Sequence, residues 1–148
     1  MKKEVIILIA EDDDGHATLI DRNLRRTGLL NEIVRFKDGQ ETLDFLFEKG
    51  KGPHRKHDMA YLLLLDIRMP KVDGIEVLRR VKADKGLKML PIIMVTTTDD
   101  PREVDKCHEL GCSSYIAKPI DYDKFIEAVR QLGLFLLLVE VPKINGHE

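Results

Sequence analysis

Cysteine, charge of one sign and long apolar runs are all scarce in this chain, and each scarcity removes a class of function. Only two cysteines occur among 148 residues, Cys107 and Cys112. That is no disulfide framework, and on a helix a pair five residues apart points in different directions. Both thiols are therefore expected free, in a reducing cytoplasm. Neither sign of charge dominates, since 24 Lys and Arg stand against 26 Asp and Glu for a net charge of −2. Such a balance gives no basic surface for nucleic acid or an anionic membrane. The apolar run from Val5 to Ala10 is too short for a signal-peptide core and meets acidic residues at once, Glu11 to Asp14. The run from Leu134 to Val139 is far too short to cross a bilayer. Internal repeats, low-complexity tracts and an interdomain linker are also missing, as is a Gly-rich phosphate loop after the first apolar run.

What is present is an ordinary globular composition, 43% hydrophobic and 34% charged, at a length that suits one domain with one sizeable core. Val5 to Ile9 reads as a buried strand. Gly15 to Arg26 has Ala17, Ile20 and Leu24 at helical spacing, and Gly28 closes it. Ile33 to Phe36 is a short strand, Asp38-Gly39 turns into a helix through Phe47, and Lys49 to Met59 is a loop. A strand begins at Leu62, and a helix carrying Val77, Leu78 and Val81 follows it. Pro91 to Thr96 is a strand, and Pro101 opens a helix ending near Gly111. Ser114 to Ala117 is a fifth strand, and Asp121 to Leu132 a last helix. Strands alternating with helices predict a doubly wound α/β fold, a parallel sheet covered on both faces. In such sheets function gathers at the carboxyl ends of the strands.

Glu11, Asp12 and Asp13 follow the first strand, Asp66 the third, Thr96 the fourth, and Lys118, with Pro119, the fifth. Asp66 is the telling one, because Leu62 to Leu65 run straight into it and a buried carboxylate is costly unless paired or metal-bound. Clustered carboxylates need a cation, and oxygen ligands without nearby His or Cys favour a hard ion such as Mg²⁺. An ion, an ammonium and a hydroxyl can each take one oxygen of a phosphoryl group, with Asp66 as the nucleophile.

Glu11-Asp12, the segment Asp66-Ile-Arg-Met-Pro-Lys-Val-Asp-Gly74, Thr96 and Lys118-Pro119 together resemble, in order and spacing, the receiver domain of two-component response regulators. The resemblance covers Val5 to Leu132 and implies a flavodoxin-like fold with strand order 2-1-3-4-5 and five helices. It implies that Asp66 accepts a phosphoryl group from a sensor histidine kinase in a Mg²⁺-dependent transfer that switches a protein-interaction surface. On the same footing, Asp12 and Asp66 bind Mg²⁺ with the backbone carbonyl of Arg68, Glu11 acts through water, and Thr96 and Lys118 bind phosphoryl oxygens. Tyr115 sits where the family places its rotating aromatic, which fills the space that Thr96 vacates. The family is a phosphoacceptor with slow self-dephosphorylation rather than a turnover enzyme. Arg68 and Thr98 occupy positions that vary between receivers, and Arg68 can stack over the acyl phosphate to slow attack by water.

Two segments exceed the minimal domain, taken as residues 1–132. The loop Lys49 to Asp58 holds His54 and His57, but with no further ligand it reads as a mobile basic loop rather than a metal site. The extension 133–148 is apolar through Val139, which marks either an interface, such as a homodimer contact, or a tail folded back on its own sheet. Together they resemble the single-domain regulators that partner bacteriophytochrome-type sensor kinases. After Val141 only seven residues remain, so no effector domain is expected. An aspartyl-phosphate phosphohydrolase would want a general acid where Arg68 stands. A phosphorylation-independent adaptor would not need the whole acidic, Thr and Lys set.

Overall fold

The computed structural model describes residues 1–144, so the end of the expected extension, 145–148, lies outside the described residues. Five strands, β1 (Ile6–Ala10), β2 (Ile33–Phe36), β3 (Met59–Leu65), β4 (Ile92–Thr96) and β5 (Ser114–Ala117), pair in parallel in the order β2-β1-β3-β4-β5. The helices are α1 (Asp14–Arg26), α2 (Gly39–Phe47), α3 (Gly74–Lys82), α4 (Pro101–Leu110) and α5 (Tyr122–Leu136). The alternation of elements predicts the doubly wound sheet, and the order is the flavodoxin-like one that the resemblance implies.

The unbroken apolar strands follow from burial on both faces. Along β3, Tyr61, Leu63 and Leu65 enter the core beneath α2, α3 and α4, while Ala60, Leu62 and Leu64 enter the one beneath α1 and α5. A side-chain period of two leaves no position for a polar residue when both faces are dry. Each helix begins on an aspartate, Asp13, Asp38, Asp73, Asp100 and Asp121, whose carboxylate accepts a backbone N–H of the first turn. Caps of this kind are worth about 1 kcal/mol each and fix where a helix starts.

Four details differ from expectation. β3 begins at Met59 rather than Leu62, because a two-residue strand β6 (Lys143–Ile144) pairs antiparallel with Met59 and Ala60. The loop expected to be mobile is anchored at its centre: Arg55 is buried with Nε donating to Leu46 O at 2.9 Å, and Lys56 N donates to the Tyr61 hydroxyl at 2.9 Å. The cysteines do not diverge. α4 stops at Gly111 (φ 105°), Cys112 N–H turns back onto Cys107 O at 3.0 Å, and both free thiols enter one core cluster. Finally, α5 runs unbroken through residues 132 and 133 to Leu136. Leu136 and Ile144 are buried, whereas Leu134, Phe135 and Leu138 face solvent. The apolar run therefore does both things at once, part of it closing the core and part of it forming a patch.

Leu64→Ala should cost about 2–5 kcal/mol in urea unfolding, since it removes a fully packed side chain and leaves a cavity. Leu138→Ala, at an exposed position, should stay within about 0.5 kcal/mol. Similar losses for the two would mean that the core assignment is wrong.

Candidate functional site

Register decides which strand ends meet. Ala10 pairs with Leu65, so Glu11 and Asp66 leave the sheet side by side, and Asp66 N–H donates to Ala10 O at 3.0 Å. Thr96 pairs with Ala117, which puts Lys118 one step beyond it, its N–H donating to Thr96 O at 2.6 Å. The turn after Asp66 folds tightly back. Gly74 N–H donates to Ile67 O at 2.8 Å, and a Cβ on Gly74 would stand 2.0 Å from the backbone oxygen of Asp66. Only glycine lets α3 start against that peptide.

The polar atoms converge in one buried pocket: Glu11, Asp66, Thr96 and Lys118 are all buried, and Asp12 is exposed at its mouth. The Lys118 ammonium donates to the Glu11 carboxylate and to Asp66 Oδ2, at 3.2 Å for the latter, and lies 3.1 Å from His16 Nδ1. Carboxylate oxygens of Glu11, Asp12 and Asp66 lie within 4.8 Å of one another. Two buried atoms, Asp66 Oδ1 and Thr96 Oγ1, have no hydrogen-bond partner among the described residues. An unpaired acceptor and an unpaired hydroxyl beside an ammonium are expensive unless something else binds there. One carboxylate oxygen each from Glu11, Asp12 and Asp66 makes a hard donor set that fits a Mg²⁺ ion. Burial pushes the Glu11 carboxyl up to about 7, against the pull of Lys118 and with the added repulsion of Asp66.

The remaining expected residues lie along one side. Tyr115 is half-buried on β5, its hydroxyl donating to Thr98 O at 2.7 Å. Its phenol is pushed up to about 12 by burial first, then by Cys107 and Glu103. Arg68 is exposed in the turn after β3, and its guanidinium donates to Glu103 Oε1 at 2.8 Å. Sequence reading missed three participants. His16 contacts Lys118. Arg35 on β2 donates to Glu11 O from Nε and Nη2 at 3.0 and 2.7 Å and to Asp14 Oδ1 at 2.6 Å, which pins the acidic turn. Glu103 holds Arg68. His54 and His57 join no cluster of metal donors among the described residues, and His57 instead faces the Glu48 carboxylate at 2.8 Å.

Comparison with known proteins bears on the family and the fold. Residues 7–130 match the family described as the response regulator receiver domain. The crystal structure of a response regulator receiver domain from Rhodospirillum rubrum superposes with a TM-score of 0.89 at 43% identity, covering 95% of this chain and 99% of that one. The response regulator Rcp1 of Synechocystis sp. is 28% identical over 132 residues, 89% of this chain and 88% of its own length. Its Mn²⁺-bound structure superposes with a TM-score of 0.84 over 93% of this chain and 98% of that one. The phosphorylated cyanobacterial phytochrome response regulator RcpA gives a TM-score of 0.81 at 27% identity, over 93% and 98%.

The raised Glu11 carboxyl sets a pH dependence. Below its ordinary value of 4.5 it is protonated in folded and unfolded chains alike. Between 4.5 and about 7 the unfolded chain releases a proton that the folded chain keeps, so stability falls as pH rises. In EDTA, the wild type should lose stability relative to Glu11→Gln across that window and stop losing it above; parallel curves would show the carboxyl unshifted.

Proposed function

The chain belongs to the response regulator receiver domain family, and we propose that its Asp66 is the phosphoacceptor of a two-component system, charged by a sensor histidine kinase. The observation that carries this reading is the pair of orphaned atoms, Asp66 Oδ1 and Thr96 Oγ1, beside the Lys118 ammonium. Asp66 Oδ1 attacks the phosphorus of the kinase phosphohistidine. The P–N bond breaks, its electron pair stays on the ring nitrogen, and that nitrogen takes a proton from solvent. Thr96 Oγ1 donates to one phosphoryl oxygen and the Lys118 ammonium to another, exchanging part of its present contact with Glu11 and Asp66. Mg²⁺ held by Glu11, Asp12 and Asp66, with the carbonyl of Arg68, would offset the negative charge that meets there. Water later removes the phosphoryl group from Asp66. One group carried per chain is signalling, not turnover.

Coverage of most of Rcp1, together with the likeness to RcpA, supports a stand-alone regulator whose kinase is of the phytochrome type. Among the described residues no helix is long and apolar enough to cross a membrane, and charging by a histidine kinase would require a cytoplasmic location. Phe135 lines a groove with Ile93, Ile116 and Leu132, and Leu134 and Leu138 stand exposed nearby along the chain. That patch suits a homodimer contact.

Incubation with Mg²⁺ and acetyl phosphate should add one phosphoryl mass to the wild type and none to Asp66→Asn; equal labelling of the two would refute the assignment. Phe135→Glu with Leu138→Glu should shift sedimentation toward monomer without lowering the thermal midpoint. Truncation at residue 132 is a poor substitute, because it would also remove the buried Leu136 and Ile144. An unchanged sedimentation coefficient would eliminate the patch as an interface.

A further inference from the structure

Arg68 and Glu103 form the ion pair that ties the turn after Asp66 to α4. Arg68 Nη2 donates to Glu103 Oε1 at 2.8 Å, across 35 residues of sequence. The acceptor is well sheltered, with 18% of its side chain exposed against 66% for Arg68. The same Glu103 oxygen accepts from Thr98 Oγ1 at 3.2 Å, and the Thr98 carbonyl accepts from Tyr115 at 2.7 Å. A continuous chain of contacts therefore runs from two residues beyond the phosphoacceptor to the aromatic on β5. It passes through a shallowly packed helix, because Cys107 is the one buried residue of α4. Helices with few buried contacts are the first to move.

Arg68 cannot serve two anions in this geometry. Two residues of chain span at most about 7 Å, so its guanidinium can reach a group on Asp66 once Glu103 lets go. A phosphoryl group brings a charge of about −2 and three acceptor oxygens, against one unit of charge on Glu103. Guanidinium pairs with such oxygens in a fork, which a single Glu contact does not provide.

We propose that Glu103 is a positioning residue that withholds Arg68 from Asp66 until phosphorylation. It surrenders the guanidinium to the new phosphoryl group, so that the side chain that comes to shield the acyl phosphate from water is the one whose departure unties α4. This rests on Asp66 being the phosphoacceptor, and it adds what times the phosphoryl group and what frees the switch face. Arg68 binds the phosphoryl group; Glu103 acts only through Arg68.

The test is a double-mutant cycle on the full chain, with acetyl phosphate and Mg²⁺ as the probe. Glu103→Gln, which keeps the Thr98 contact, should speed labelling and slow phosphoryl loss by about two- to five-fold, the range expected for releasing one exposed ion pair. Arg68→Ala should shorten the phosphoryl lifetime. In the Arg68→Ala background, Glu103→Gln should change neither rate. A Glu103→Gln effect that persists without Arg68 would make Glu103 merely structural and overturn the proposal, as would wild-type rates in Glu103→Gln alone. Wild type that takes no label at Asp66 would instead bring down the phosphoacceptor reading, and this inference with it. Arg68 is exposed and Glu103 only partly buried, and thermal midpoints within a few degrees of wild type confirm that each variant is folded.

Discussion

The Lys118 ammonium is the contact on which the site depends. It is buried, and its neighbours are the Glu11 carboxylate, Asp66 Oδ2 and His16 Nδ1, which matches the three donors an ammonium has. Taking three ionised groups out of water costs several kcal/mol per ion, more than such a cluster usually returns in attraction. The arrangement is therefore a burden on stability. Even with Lys118 in place the cluster stays negative, Glu11, Asp12 and Asp66 against one cation, and burial, with a smaller push from Asp66, drives the Glu11 carboxyl up to about 7. A cluster of that kind is short of positive charge and, at Asp66 Oδ1 and Thr96 Oγ1, short of partners.

Around that deficit the scaffold is stiff on one side and soft on the other. On the stiff side, Arg35 clamps the backbone of Glu11, Gly74 lets α3 close on the peptide of Asp66, and aspartate caps fix the start of every helix. Acidic residues held this way stay close to one another without being able to drift apart. On the soft side, α4 is shallowly packed, and Glu103 in its first turn ties it to the site through Arg68 and Thr98. The proposed readout of Asp66 would then fall where the structure is cheap to deform.

The legible part of this molecule in the sequence was whatever has a local signature. Leu62 to Leu65 announce a strand buried on both faces, and each of Glu11, Asp66, Thr96 and Lys118 is marked by standing at the end of such a run. Contacts between distant segments carry no such mark. Arg35 meets Glu11 across 24 residues, Lys118 meets His16 across 102, and Arg68 meets Glu103 across 35. Each of these residues looks, in one dimension, like an ordinary charged or polar surface residue. The extension was ambiguous for a different reason. Its composition is uniformly apolar, and only the helical turn separates Leu132 and Leu136, which face the core, from Leu134, Phe135 and Leu138, which do not. The cysteines were misjudged because a spacing rule for helices fails once the helix stops between them, at Gly111.

These same contacts divide the molecule's surfaces into a firmly packed one and a shallowly packed one. α5 starts at Tyr122, four residues after Lys118, and carries Phe135 thirteen residues further on, so it links the rim of the site to the apolar patch. It is not free to act as a lever. Phe125 packs edge-on against His16 with ring centroids 5.4 Å apart. At Gly133 the helix presses so close to α1 that a Cβ would stand 2.6 Å from Thr27 Oγ1. Held at both ends against α1, α5 fixes where the patch lies. The opposite face, α4 and Tyr115, is held more loosely: Cys107 is the one buried residue of α4, and the Arg68–Glu103 ion pair with the hydrogen bonds at Thr98 joins it to the turn after β3 and to β5. The proposed homodimer and the proposed switch would therefore rest on opposite kinds of packing, and the first would not require the second.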